Sequence, residues 1–86
     1  MKFTVVYADS FDPKTIRSIP PAMQDAMKEA IESKLTTDPI SFGKPLRYSL
    51  KGCRRLRVND YRIVYTIKRK TVIILEIGHR SKIYSH

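Results

Sequence analysis

The sequence predicts an α+β fold: an N-terminal strand, then a two-helix hairpin packed on a twisted, mostly antiparallel four-stranded sheet. Three observations predict it. A β-branched and aromatic run opens the chain. A long apolar stripe at helical spacing follows. Three alternating segments joined by tight turns close the chain. Eighty-six residues suffice for one modest core, so the whole chain, 1–86, is expected to form one domain.

Lys2 to Ala8 reads as the first strand. Asp12 is placed to cap a short helix with Pro13 in its first turn, where a missing N–H costs nothing. Ile16 and Ile19 share that helix's inner face, and Pro20-Pro21 ends it. The clearest helix runs from Pro21 to Leu35. Met23, Ala26, Met27, Ala30, Ile31 and Leu35 form its buried stripe, with Gln24, Asp25, Lys28, Glu29 and Glu32 outside. Thr36-Thr37-Asp38-Pro39 terminates it. Ile40 to Leu50 is expected to be irregular, because Gly43 and Pro45 interrupt any long strand, while Leu46 and Leu50 tuck under the sheet edge. Gly52 permits a tight entry into the strands that follow, Cys53–Val58, Tyr61–Ile67 and Thr71–Ile77.

A two-residue turn at Asn59-Asp60 fixes the first register. Val58 then opposes Tyr61, Arg57 opposes Arg62, Leu56 opposes Ile63, and Arg55 opposes Val64. One face, with Leu56, Val58, Tyr61, Ile63 and Tyr65, packs on the helices. The other carries Arg55, Arg57 and Arg62. For the second hairpin, a three-residue loop, Lys68 to Lys70, keeps Glu76 out of the core and opposite Arg62. That register puts Ile73, Leu75 and Ile77 on the core face. Arg80 and Tyr84 reach the rim of the basic face.

The net charge is +9. Such self-repulsion is best tolerated by a chain whose partner is a polyanion; nucleic acid leads, ahead of an acidic protein and an anionic membrane. A single cysteine, Cys53, excludes an intramolecular disulfide. No stretch has the length of a transmembrane helix, and the N-terminal apolar run is too short for a secretion signal. A cytoplasmic protein that engages no membrane is the expectation. His79 and His86 lack ligand partners at metal-binding spacing, and there is no glycine-rich phosphate loop. Neither metal nor cofactor is expected.

Arginine, tyrosine and histidine suit cleavage of RNA by its own 2′-hydroxyl. The substrate supplies the nucleophile. The protein must take its proton, stabilise the phosphorane and protonate the leaving 5′-oxygen. Clustered guanidiniums serve the middle task, since they fork onto phosphate oxygens in fixed geometry.

The stretches RRLRVNDYRIVY and IGHRSKIY, with the order of elements, resemble the RelE/ParE toxin superfamily, nearest the RelE-type mRNA interferases. The resemblance covers nearly the whole chain. It implies a RelE-like fold and a toxin of a type II toxin–antitoxin system. Such a toxin enters the ribosomal 30S A site, beside 16S rRNA, and cleaves mRNA there to a 2′,3′-cyclic phosphate and a 5′-hydroxyl. It implies a RelB-like antitoxin partner, in a complex that can be heterotetrameric. By position, Arg55 stands for a basic strand residue in proton transfer or charge stabilisation. Arg62 holds the scissile phosphate, Arg80 stabilises the transition state, and Tyr84 stacks on or activates the nucleotide. Arg47, Lys51, Arg54, Arg57, His79 and Lys82 are expected to contact RNA. A second basic residue of RelE falls at Cys53, with Lys51 and Arg54 nearby. Two other readings are a ParE-like inhibitor of DNA gyrase that acts by binding alone, and an inactive basic domain that only binds antitoxin.

Overall fold

A computed structural model describes residues 2–82. The elements are β1 (Thr4–Tyr7), α1 (Lys14–Arg17), α2 (Pro21–Ala30), α3 (Pro39–Phe42), β2 (Lys44–Pro45), β3 (Arg54–Val58), β4 (Tyr61–Lys68) and β5 (Thr71–His79). They form one α+β layer pair. The sheet has five strands in the order β1-β5-β4-β3-β2, with β1 parallel to β5 and the other pairs antiparallel.

The helices begin where the sequence signals them. Asp12 Oδ1 accepts the Lys14 N–H at 3.0 Å, leaving Pro13 where no donor is wanted. Beyond Ala30 the second helix widens over Ile31–Leu35 into a π-type turn, with the Thr36 N–H reaching back to the Ile31 carbonyl at 3.3 Å. Hydroxyls of Ser33 and Thr37 bond the carbonyls four residues before them in this segment, at 2.8 and 2.7 Å. Such bonds compete with the helical ladder and loosen it. Leu35 at the end of the turn is still fully buried. On the outer row only Gln24 departs from expectation: it is half-buried and its Nε2 donates to the Ile19 carbonyl at 2.7 Å.

Two elements correct the expected four-stranded sheet. Asp38-Pro39, expected only to stop a helix, also starts one. Asp38 Oδ1 accepts the Ser41 N–H at 3.2 Å and Pro39 occupies the first turn of α3. The segment after it then pairs as β2, Lys44 with Arg55 and Pro45 with Arg54. Proline tolerates this place because it is an edge strand.

The first hairpin has the expected register: Val58↔Tyr61, Arg57↔Arg62, Leu56↔Ile63 and Arg55↔Val64. The second does not. Its turn has two residues, Arg69 and Lys70, with Arg69 at φ 60°, so Lys68 pairs with Thr71. Continued unbroken, that register would set Glu76 opposite Ile63, inside the core. A bulge between Val64 and Tyr65 prevents it. Tyr65 pairs with Ile74 while Val64 pairs with Glu76, so Leu75 is the extra residue. Glu76 therefore lies opposite Val64 rather than Arg62, exposed on the arginine face. The core residues of β5 are Val72, Ile74 and Ile77, with Ile73 and Leu75 half-buried. They join Leu56, Ile63 and Tyr65 of the sheet, Met27, Ala30 and Leu35 of the second helix and its π-type turn, and Ile19 between α1 and α2.

Candidate nucleic-acid interface

Strand alternation puts Arg55 and Arg57 on one face of β3 and Arg62 and Val64 on the same face of β4, with Cys53 just ahead of β3. Arg57 is exposed, while Arg55 and Arg62 are half-buried. Arg57 stands directly across from Arg62, and like charges in that relation repel. Val64 is only 3% exposed although it points away from the helices. Its cross-strand neighbours are Arg55 and Glu76, both long side chains with aliphatic stems able to cover an apolar neighbour.

On the β5 side, Gly78 is the residue opposite Arg62. Gly78 contributes no side chain at that pair, and the Arg62 Nε is itself buried. The Arg80 N–H donates to the Asp60 carbonyl at 2.9 Å, extending the β4–β5 ladder to the Asn59-Asp60 turn. Alternation from Glu76 through Gly78 brings exposed Arg80 to the same face. The backbone thus gathers Arg55, Arg57, Arg62 and Arg80 on the side of the β3–β4 hairpin that leads to its Asn59-Asp60 turn. Tyr84 lies outside the described residues.

The other expected contacts divide. Arg47 and Lys51 are exposed on the turn that precedes β3, and Lys82 is exposed after β5. His79 pairs with Tyr61, on the helix-facing side of the sheet. Their rings meet edge to face at 5.4 Å. The Ser81 N–H donates to His79 Nδ1 at 3.2 Å, which places the proton of the neutral ring on Nε2. His79, Lys82, Asp12 and Tyr61 share a cleft of about 450 Å³ beside α1, which Glu76 and Gly78 also line.

Arg54, expected to contact RNA, is engaged within the fold. It alternates onto the helix-facing side, and its Nη2 donates to the carbonyls of Ile40 at 2.6 Å and Gly43 at 3.1 Å. A cation at the C-terminal carbonyls of α3 satisfies acceptors the helix leaves open. Beside it the Tyr65 hydroxyl donates to the Pro39 carbonyl at 2.6 Å. Burial pushes the Tyr65 phenol up from its ordinary value, with the Arg54 charge partly opposing that shift. A β-carbon on Gly43 would sit 1.8 Å from the Tyr65 hydroxyl oxygen, so this approach requires glycine. Arg54 is thus a lock between α3 and the sheet.

Sequence reasoning missed a cationic pocket on the β2 edge, lined by Lys34, Phe42, Lys44, Arg55, Leu56 and Arg57. Its signal lay in Lys34, Phe42 and Lys44, which are too far apart in the chain to be grouped without α3. Among the described residues no group of three or more His, Cys, Asp or Glu could hold a metal ion. No helix there is long and apolar enough to cross a membrane.

Comparison with known proteins is decisive about family. Residues 11–84 match the model for the ParE toxin of the type II toxin–antitoxin system parDE. The chain belongs to the RelE/ParE toxin family. It is 36% identical over 73 residues to Toxin RelG of Mycobacterium tuberculosis, covering 83% of this chain and 84% of that protein. In the crystal structure of the toxin–antitoxin complex RelBE2 of the same organism, a chain superposes with TM-score 0.83 at 32% identity, over 93% of this chain and 100% of that one. YafQ of E. coli shares the fold at TM-score 0.64 and 19% identity, over 98% and 100% of the two chains. This RelE/ParE-family chain is therefore a toxin of a type II toxin–antitoxin system.

Proposed function

We propose that this toxin is a ribosome-dependent endoribonuclease, an mRNA interferase that acts in the cytoplasm. It enters the 30S A site against 16S rRNA and cleaves mRNA by attack of the 2′-hydroxyl on the adjacent phosphate. The products are a 2′,3′-cyclic phosphate and a 5′-hydroxyl. One observation carries the reading: an open sheet face holds Arg57 directly across from Arg62, with Arg55 beside them, an arrangement that favours an anion between the strands.

Arg62 holds the scissile phosphate. Arg55 and Arg80 stabilise the charge that builds on the phosphorane, which fixed cations do without reorganising. Tyr84 stacks on the nucleotide or relays a proton. Arg57, Arg47, Lys51, Lys82 and, at the rim, His79 attract the RNA backbone. Cys53, just ahead of β3 where RelE carries a base, supplies no charge stabilisation. The ribosome orients the substrate and makes up part of that deficit. A RelB-like antitoxin covers the face, in a complex that can be heterotetrameric; solved relatives include a RelB–RelE complex from Methanococcus jannaschii.

The test maps mRNA ends on translating ribosomes. Cuts at the A site with cyclic-phosphate ends, lost in Arg62→Ala and Tyr84→Ala, are expected. Intact mRNA beside accumulating gyrase-cleaved DNA would establish the second reading, a ParE-like gyrase inhibitor, which the family match favours.

A further inference from the structure

From the pocket at the β2 edge we infer a second RNA subsite, one that grips a phosphate and its base away from the bond being cut. The inference rests on the RNA-directed reading above and adds three residues outside it, Lys34, Phe42 and Lys44. β2 pairs only at Arg54 and Arg55, so it does not cover β3 beyond Arg55. Lys34 from the end of the second helix, Phe42 from α3 and Lys44 from β2 close over that uncovered edge with Arg55 and Arg57, enclosing about 230 Å³. Four cations line the pocket, and no acidic side chain is among its lining residues.

Phe42 gives the pocket a preference among anions. It is 49% exposed, though it is a large apolar ring. Lys34 Nζ lies 5.6 Å from its centroid, a cation–π contact that holds the ammonium at the pocket's mouth. A half-open ring among cations is the layout that binds single-stranded nucleic acid: bases stack while cations track the backbone. An acidic peptide would satisfy the cations but gain little from a flat ring. Arg55 and Arg57 belong both to this pocket and to the arginine face. An RNA strand leaving Arg62 therefore crosses β3 into the pocket without leaving positive potential.

The probe is a fluorescein-labelled uridylate 12-mer with 2′-O-methyl sugars, which cannot be cleaved through its 2′-oxygen. Its affinity is measured by anisotropy across a salt series. In K34Q/K44Q the slope of log Kd against log salt is expected to fall by about 0.7 for each phosphate that the protein no longer neutralises. Phe42→Leu is expected to weaken binding about ten-fold at fixed salt with the slope unchanged. Wild-type melting temperatures in the variants guard against misfolding. Wild-type affinity and slope in both variants would overturn the subsite. So would weakened antitoxin binding with unchanged RNA binding, which would assign the pocket to a protein. Ribosomal mRNA cleavage separates the two readings. Normal cleavage with an unaltered 12-mer profile sinks the subsite alone, and pocket-dependent 12-mer binding without cleavage sinks only the nuclease.

Discussion

Arg57 and Arg62 face each other directly across the β3–β4 ladder. Two guanidiniums in that relation cost a few tenths of a kcal/mol in the free protein. On the proposed function, a phosphate bound at this pair would offset that cost. Arg57→Gln is therefore expected to stabilise the isolated toxin by about 0.2–1 kcal/mol in urea unfolding while lowering mRNA cleavage on ribosomes. A fall in both stability and cleavage would show that Arg57 supports the fold instead.

Arg54 makes the opposite prediction. Its two bonds to the carbonyls of Ile40 and Gly43 join α3 to the sheet and leave its charge engaged. Arg54→Met should cost about 1.5–3 kcal/mol of stability, the range for hydrogen bonds made by a charged group. Affinity for the 12-mer, measured well below the unfolding transition, should change less than in Arg57→Gln. A larger loss of affinity in Arg54→Met would return Arg54 to the RNA-binding set.

Tyr65 predicts a pH dependence. Burial raises its pKa, so the folded state holds the phenolic proton more tightly than the unfolded chain. The resulting stability is fully present below the unfolded value of about 10 and is lost as pH climbs through the folded value. Tyr65→Phe removes that dependence and also the hydrogen bond to Pro39, costing about 1–2 kcal/mol at neutral pH. The gap in stability between wild type and variant should narrow above pH 10. A gap that widens in alkali would contradict the assignment.

Tyr48 is 83% exposed and sits at φ 59°, a left-handed conformation that L-residues with a β-carbon enter at a cost of about 1–2 kcal/mol. Tyr48→Gly should raise stability in chemical denaturation by about 1 kcal/mol, less the greater entropy of an unfolded glycine. If stability falls, the Tyr48 ring makes contacts that outweigh its strained backbone.

Much of the fold follows from local chemistry alone. The Asn59-Asp60 turn, with strict alternation on either side, sets the first hairpin and gathers Arg55, Arg57 and Arg62. Apolar spacing from Met23 to Leu35 marks the main helix, and Asp12 before Pro13 marks where α1 starts. The RRLRVNDYRIVY and IGHRSKIY stretches carry enough pattern to indicate the family. These features are legible because each depends on residues adjacent in the chain or one period apart.

Tertiary structure decided the rest, since it depends on contacts between distant residues. The bulge at Leu75 exists because a two-residue turn and an exposed Glu76 are incompatible in one unbroken register; no local pattern encodes that compromise. Arg54, read from sequence as one more cation for RNA, is taken by α3, a helix of one turn whose stability comes from docking rather than propensity. The pocket of Lys34, Phe42 and Lys44 forms only once α3 and β2 fold against β3. The sequence by itself determined the family, the core strands and the arginine face. Which cation is drawn into the fold was left to packing, because the carbonyls that claim Arg54 come from a distant part of the chain.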